Sequence, residues 1–313
     1  MCYASSMATS DQPAPPWAYP LNAIQYQRFL ATVAEELDYL KLDGDRIPNA
    51  AGELTVRVRD EANVVLKLNL TNTAQQAALC SESTWGNLVR QVYSNASQTS
   101  ELIATSPTPE TLRVRLYSAD HMAGIPAMPS GHPVYRQVAG DIVETMVVDH
   151  PSVVTILMSK QLPQMGLGED EAWQIAEANT SRILISTTRL DVGAPILLLE
   201  SPEETYTGAA ILWLEKALGR QLPYGALVSV PTRVLILAHP IRDNSCRSAL
   251  INMAVRAEGA ARKGPYGLSS KLYWYHDSRL EAIDIHVDFN NNTLVLRGPV
   301  ALERAMSQAA AGR

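Results

Sequence analysis

Apolar and polar positions recur along this chain with two periods, and the changes between them mark out its elements. Over residues 22–40, Tyr26, Phe29, Leu30, Val33, Leu37 and Leu40 stand three and four apart, which predicts an amphipathic helix. Past the turn-rich Asp43-Gly44-Asp45 and Pro48 the period becomes two. Leu54, Val56 and Val58 alternate with Thr55, Arg57 and Arg59, and Val64, Leu66, Leu68 and Leu70 return with Lys67 and Asn69 between them. That is a hairpin with one apolar face. A helix over residues 73–93 follows on Ala77, Trp85, Leu88, Val89 and Val92, then a polar loop over 94–110. Leu112, Val114 and Leu116, alternating with Arg113 and Arg115, predict another strand.

The densest pattern lies between residues 224 and 288. Two short apolar runs, 226–230 and 234–238, flank Pro231-Thr232-Arg233, which reads as a tight turn. Cys246, Ala249, Leu250, Met253, Ala254, Ala257 and Ala260 give a helix that Gly264-Pro265 stops. Strand-like runs at 271–275 and 280–287 surround His276-Asp277-Ser278-Arg279. One antiparallel sheet with the helix around Leu250 and Met253 on one face is expected. A helix over 203–218 precedes this block, so helix, hairpin, helix and strand occur in the same order twice, as a distant internal duplication would give. The expected class is α+β, with two two-layer units of antiparallel sheet covered by helices at 21–118 and 201–313. A disordered Ser-, Pro- and Ala-rich tail is expected at 1–20. Residues 119–200 would connect the units, with a Gly- and Pro-containing loop at 120–133, strands at 142–148 and 153–157, and an acidic-started helix at 168–179. A last strand and an Ala-rich helical tail fill 293–313.

Composition narrows the function classes. The chain has 313 residues, 46% apolar and 19% charged, with a net charge of −6. That balance gives no global attraction to nucleic acid or to an anionic membrane. No window approaches the roughly 20 apolar residues of a membrane span. Cys2, Cys80 and Cys246 form no C-x-x-C pair, which fits a reducing cytoplasm better than a disulfide framework.

Two passages carry a family resemblance. Val147-Val148-Asp149-His150-Pro151-Ser152, continued by Leu162, Met165-Gly166-Leu167-Gly168-Glu169-Asp170-Glu171-Ala172 and Ala176-Glu177-Ala178-Asn179, is one. Val228-Ser229-Val230-Pro231-Thr232-Arg233-Val234-Leu235-Ile236-Leu237-Ala238 is the other. Together they resemble the YtpQ-like family of bacterial proteins of unknown function, with element order matching over residues 25–287. The resemblance implies a bacterial, cytoplasmic α+β protein and transfers no active site.

No motif names a reaction or a cofactor, so no catalytic, cofactor-binding or metal-binding residue is assigned. His132, His150 and His239 each precede Pro, where extended geometry is favoured, and read as strand ends. A metal site would have to gather His121, His132, Asp141, Glu144, Asp149 and His150, among which no ligand motif occurs. Cys246 stands at a helix start, where a thiol pKa falls, but also on the apolar stripe, which favours a buried, inert thiol. Gly166-Leu167-Gly168 lacks the rest of a phosphate-binding loop.

The charged pattern of the strands is the most specific feature. Were the strands to share one sheet, Arg57, Arg59, Lys67, Arg113 and Arg115 would place five cations on one face. Such a face is either solvated or a contact surface for an acidic protein segment. The expectation carried forward is a non-catalytic binding module, adaptor-, chaperone- or immunity-like, with those five residues on its acidic partner. The alternative is a metal- or thiol-dependent hydrolase centred on residues 120–150.

Overall fold

Helix α1 (Ala23–Tyr39) begins at Asn22, whose side chain accepts from Gln25 N at 2.9 Å while Gln25 Oε1 accepts from Asn22 N at 3.1 Å. This reciprocal cap satisfies two backbone donors that the first turn leaves open. Phe29, Val33 and Leu37 bury the expected stripe. They pack with Leu42, Leu54, Val56 and Leu68 of a three-stranded antiparallel sheet, in the order β1 (Leu42–Gly44), β2 (Glu53–Val58), β3 (Val65–Asn69). The helix expected at 73–93 is two, α2 (Thr71–Ala77) and α3 (Trp85–Tyr93). Residues 79–84 carry no apolar stripe, and their hydroxyls compete for the backbone: Thr84 Oγ1 donates to Ser81 O at 2.6 Å. Arg90 closes the bundle, donating from Nε and Nη2 to the two carboxylate oxygens of Glu36, 2.8 Å each.

This computed structural model describes residues 13–58, 65–94, 107–125, 128–150, 153–201, 204–288 and 293–312. Contacts divide the chain into two units, Met1–Ala104 with Lys263–Pro265, and Thr105–Arg262 with Tyr266–Arg313. The expected boundary at 118 therefore moves back, and the stretch read as a connector is part of the second unit. Residues 1–12 of the expected tail lie outside the described residues. Residues 13–20 are ordered: Pro16–Ala18 form a 3-10 turn, Ala18 is buried, and the Trp17 ring meets Tyr26 edge-on at 5.6 Å.

The second unit holds two sheets. In the smaller one, β6 (Ile142–Asp149) is central, with β4 (Leu112–Ser118) on one side and β5 (Tyr135–Ala139) and β7 (Val154–Ile156) sharing the other. Helix α4 (Ala119–Ala123) follows β4 inside what read as loop, and α5 (Glu169–Thr180) covers one face of the sheet through Trp173 and Ala176. The larger sheet is antiparallel, in the order β14 (Thr293–Arg297), β13 (Arg279–Asp288), β12 (Leu272–His276), β10 (Ala226–Thr232), β11 (Leu235–Pro240), β9 (Pro195–Glu200), β8 (Ser186–Asp191). The two expected hairpins thus share one sheet. Strands β1, β5, β8 and β9 carry no expectation in the sequence pattern.

Both faces of the larger sheet are covered, so this unit has more than the two layers expected. On one face Leu227, Leu237, Leu272, Trp274 and Ile283 pack with Leu250 and Met253 of α7 (Cys246–Lys263) and Leu302 of α8 (Val300–Ala310). On the other, Val228, Val230, Ile236 and Tyr273 meet Ile211 and Leu214, and also Leu116 and Ile142 of the smaller sheet. Ile211 lies on a 3-10 helix, Glu204–Trp213, that runs into α6 (Leu214–Leu218), where a single α-helix was expected. Strand β10 is buried at every position, which explains its continuous apolar run.

Two turns depend on unusual backbone. Asp277 and Ser278, with φ 45° and 57°, close the β12–β13 hairpin in the left-handed pair that matches strand twist. Gly225 has φ 75°, and a Cβ there would lie 2.2 Å from Tyr275 O. A polar cluster joins the sheets: Tyr273 Oη and Ser269 Oγ donate to the two Asp141 carboxylate oxygens at 2.6 and 2.7 Å, with Lys271 Nζ at 3.6 Å.

Met253 packs in this apolar core and is fully buried. Met253→Ala is expected to cost about 2–5 kcal/mol in denaturant unfolding, the range for truncating a buried large side chain. A loss below about 1 kcal/mol would remove α7 from the core.

Candidate functional site

The expected five-cation face does not form. Strand β4 belongs to the second unit and pairs with β6, whereas β2 and β3 form the sheet of the first. Arg57 is exposed on β2, Lys67 lies on β3 with its side chain outside the described part, and Arg59 is outside the described residues. Arg113 and Arg115 share a face with their register partners Val147 and Thr145, both fully buried. The strand alternates as expected, but its arginine face is half-buried rather than open, with Asp149 and the Tyr206 hydroxyl beside it. Arg113 lies 3.8 Å from Asp149. Arg115 donates to Tyr117 Oη at 3.4 Å, and its Nε is buried without a partner. Next to it, Arg233 is wedged over the rings of Tyr117 and Tyr266 at 5.0 and 4.6 Å. Burial, then the Arg115 charge, pushes its pKa down to about 10.

The groups that a hydrolytic centre at 120–150 would need are dispersed. His121 stacks on Tyr117 at 5.3 Å, His132 Nδ1 lies 3.3 Å from Ser159 Oγ, and His150 Nε2 lies 3.1 Å from Thr155 Oγ1. Asp141 is committed to the polar cluster between the sheets, and Glu144 accepts from Arg136 Nε at 2.8 Å. Among the described residues, no three His, Cys, Asp or Glu side chains converge to hold a metal. Cys246 is buried, and desolvation, then the Asp243 charge, raises its pKa, so its position at the start of α7 does not activate it.

Two concavities among the described residues lie in the second unit. The larger, about 540 Å³, is an open groove between α5, α6 and the β5–β6 strands. Leu212 and Trp213 line it, and Arg136 crosses it, paired with Glu144 and Glu177 and lying 4.0 Å over the Trp173 ring. Desolvation raises the Glu144 pKa against the pull of Arg136. Arg136, Glu144 and Glu177 pair among themselves, and Lys216 donates to Ser181 Oγ at 3.0 Å.

The smaller pocket, about 270 Å³, is different in kind. Arg189 from β8, Pro195 and Leu197 from β9, Arg220 after α6, and His239, Pro240, Arg242 and Asp243 at the end of β11 line it. Arg189 holds Asp191, with Nε 3.0 Å from Oδ1. Arg220 and Arg242 have no carboxylate partner among the described residues, and Arg220 Nε is buried without any hydrogen bond. Desolvation, then the Arg242 charge, lowers the Arg220 pKa. Nothing in the strand periods marks this site, because Arg220 and Arg242 stand in connections and β8 was not expected.

Around it the polar groups are ordered. His239 Nδ1 donates to Pro195 O at 2.6 Å, since a carbonyl can only accept. Its Nε2 then faces Ser245 Oγ at 3.3 Å, and Ser245 Oγ donates to Asp243 Oδ1 at 2.5 Å. The Ser245 amide also donates to Asp243 Oδ1, at 2.8 Å, and these two bonds hold the Asp243 pKa low. With the Ser245 proton donated to Asp243 and the His239 proton to Pro195 O, no hydrogen is left between His239 Nε2 and Ser245 Oγ, so Nε2 keeps its lone pair beside the guanidiniums.

Burial lowers the pKa of His239, and of His121, below the ordinary imidazole value. The unfolded chain takes up these protons near pH ~6.5 and the folded chain only at lower pH, so stability falls as pH drops through that window. His239→Asn, which keeps a donor for Pro195 O, should shrink the stability difference between about pH 7.5 and about pH 5.5 in denaturant melts. An undiminished difference would place the proton uptake at other groups. Among the described residues no helix is long and apolar enough to cross a membrane. Comparison of the chain with protein-family models, with curated proteins and with solved structures found no match.

Proposed function

We propose that this protein is a non-catalytic binding module that captures an acidic segment of a partner protein through the arginine pocket of its second unit. The observation that carries this reading is the pair Arg220 and Arg242, which line one pocket and have no carboxylate within ion-pair distance among the described residues, although Asp243 lines the same pocket. Two like charges held together oppose folding, and an anion supplied from outside removes that cost. Size favours a side-chain terminus over a whole cofactor, since about 270 Å³ lies below the usual range of roughly 300–1,000 Å³ for small-molecule sites. The resemblance to a bacterial, cytoplasmic family fits an intracellular partner. The expected acidic partner is kept in this reading, while its docking surface moves from the Arg57, Arg59, Lys67, Arg113, Arg115 set to the pocket.

A fluorescein-labelled oligoglutamate peptide tests it by fluorescence anisotropy. The peptide should bind, an oligolysine peptide should not, and added salt should weaken binding because exposed charges are screened over about 10 Å at 0.1 M. Arg220→Gln with Arg242→Gln should lower affinity about tenfold or more, the loss of a charge-assisted hydrogen bond or two. Equal binding by wild type and the double variant would overturn the proposal.

A further inference from the structure

We infer that the arginine pocket is built for a phosphate monoester rather than for a carboxylate, so that the captured acidic segment is a phosphorylated one. The inference rests on the reading of the pocket as an anion site and adds the class of anion.

Donor geometry is the first argument. A carboxylate has two oxygens in one plane, and a single guanidinium fork satisfies both. The pocket brings guanidiniums from three separate places in the chain: Arg189 on the edge strand β8, Arg220 after α6, and Arg242 before α7. A phosphoryl group presents three terminal oxygens in a tetrahedral spread, and donors arriving from three directions match it. Arg189 is itself oriented by Asp191, whose carboxylate holds the Nε edge and Nη2.

Charge is the second argument. Arg220 and Arg242 repel each other; Asp191 is ion-paired with Arg189, and Asp243 keeps its charge while accepting from Ser245. Neither Arg220 nor Arg242 lies within ion-pair distance of a carboxylate among the described residues, so a carboxylate contacting one would leave the other without a direct partner. A phosphate monoester, with three terminal oxygens and about −1.5 to −2 charge at pH 7, contacts both. His239 lines the same pocket with its Nδ1 taken by Pro195 O.

Shape is the third. The volume, that of about nine water molecules at ~30 Å³ each, exceeds what one phosphoryl group fills. Pro195, Leu197 and Pro240 supply an apolar wall for the carbon stem that carries the phosphate.

Isothermal titration of the full chain with inorganic phosphate, O-phosphoserine, glutamate and matched serine, phosphoserine and glutamate peptides tests this. The phosphoserine peptide is expected to bind about tenfold or more tightly than the glutamate peptide, a gap of about 1.4 kcal/mol. Arg242 is exposed, so Arg242→Gln should fold normally and bring the two peptides to within about threefold of each other. Inorganic phosphate or O-phosphoserine binding as tightly as the peptide would assign the site to a free phosphorylated metabolite and overturn the peptide source. Glutamate peptide binding equal to or tighter than phosphoserine peptide would overturn the inference while leaving the anion site standing. Failure of every anion to bind would remove both.

Discussion

Strands β10 and β11 are buried on both faces, and most of the second unit is arranged to keep water away from them. A strand with apolar residues on alternate positions needs one cover, whereas an uninterrupted apolar strand needs two. Helices α7 and α8 supply one cover, and the 204–218 helical stretch with the smaller sheet supplies the other. That demand explains why β4 joins the second unit rather than extending the first. Leu116 and Ile142 complete the core over Val228 and Ile236, so the smaller sheet is a wall of the larger one.

The same demand shapes where chemistry can sit. Polar side chains caught between the layers are tied off, as Asp141 is by Tyr273, Ser269 and Lys271. Arg233, wedged among aromatic rings, is buried at the expense of its proton affinity. Charges keep an open valence only at the margins, and the rim where β8, β9 and β11 end is such a place. Three arginines gather there, Arg189 from β8 and Arg220 and Arg242 from connections.

Much of the architecture was legible in the residues. Helix α1, the β2–β3 hairpin, β4, β6, α5, and the succession β10, β11, α7, β12, β13 follow from apolar spacing alone, because each buries a full stripe or face. Strands β8 and β5 were not legible. Ser186, Thr187, Thr188 and Arg189 are exposed on the edge strand β8, so burial leaves no alternation in the sequence. The apparent repeat of element order breaks on the 3-10 character of Glu204–Trp213 and on the assignment of β4 to another sheet. For the site, period two told that Arg113 and Arg115 share the face opposite Leu112, Val114 and Leu116, but not that this face would be half-buried beside Asp149. Which strands share a sheet is set by long-range pairing, and a local pattern carries no record of it.

Strand β8 has a consequence for how copies of this chain meet one another. It forms one margin of a seven-stranded sheet, with β9 as its one strand neighbour among the described residues. Such a margin is a template onto which a second copy adds its own strand, the first step towards fibrils. Here the margin is flanked by hydroxyls and by the Arg189–Asp191 ion pair, not by the Val- and Leu-rich face found three strands further in. An incoming strand would have to desolvate that pair and gain almost no apolar contact in return. The polar sequence that hid β8 from periodicity therefore also makes this margin a poor template for a second copy.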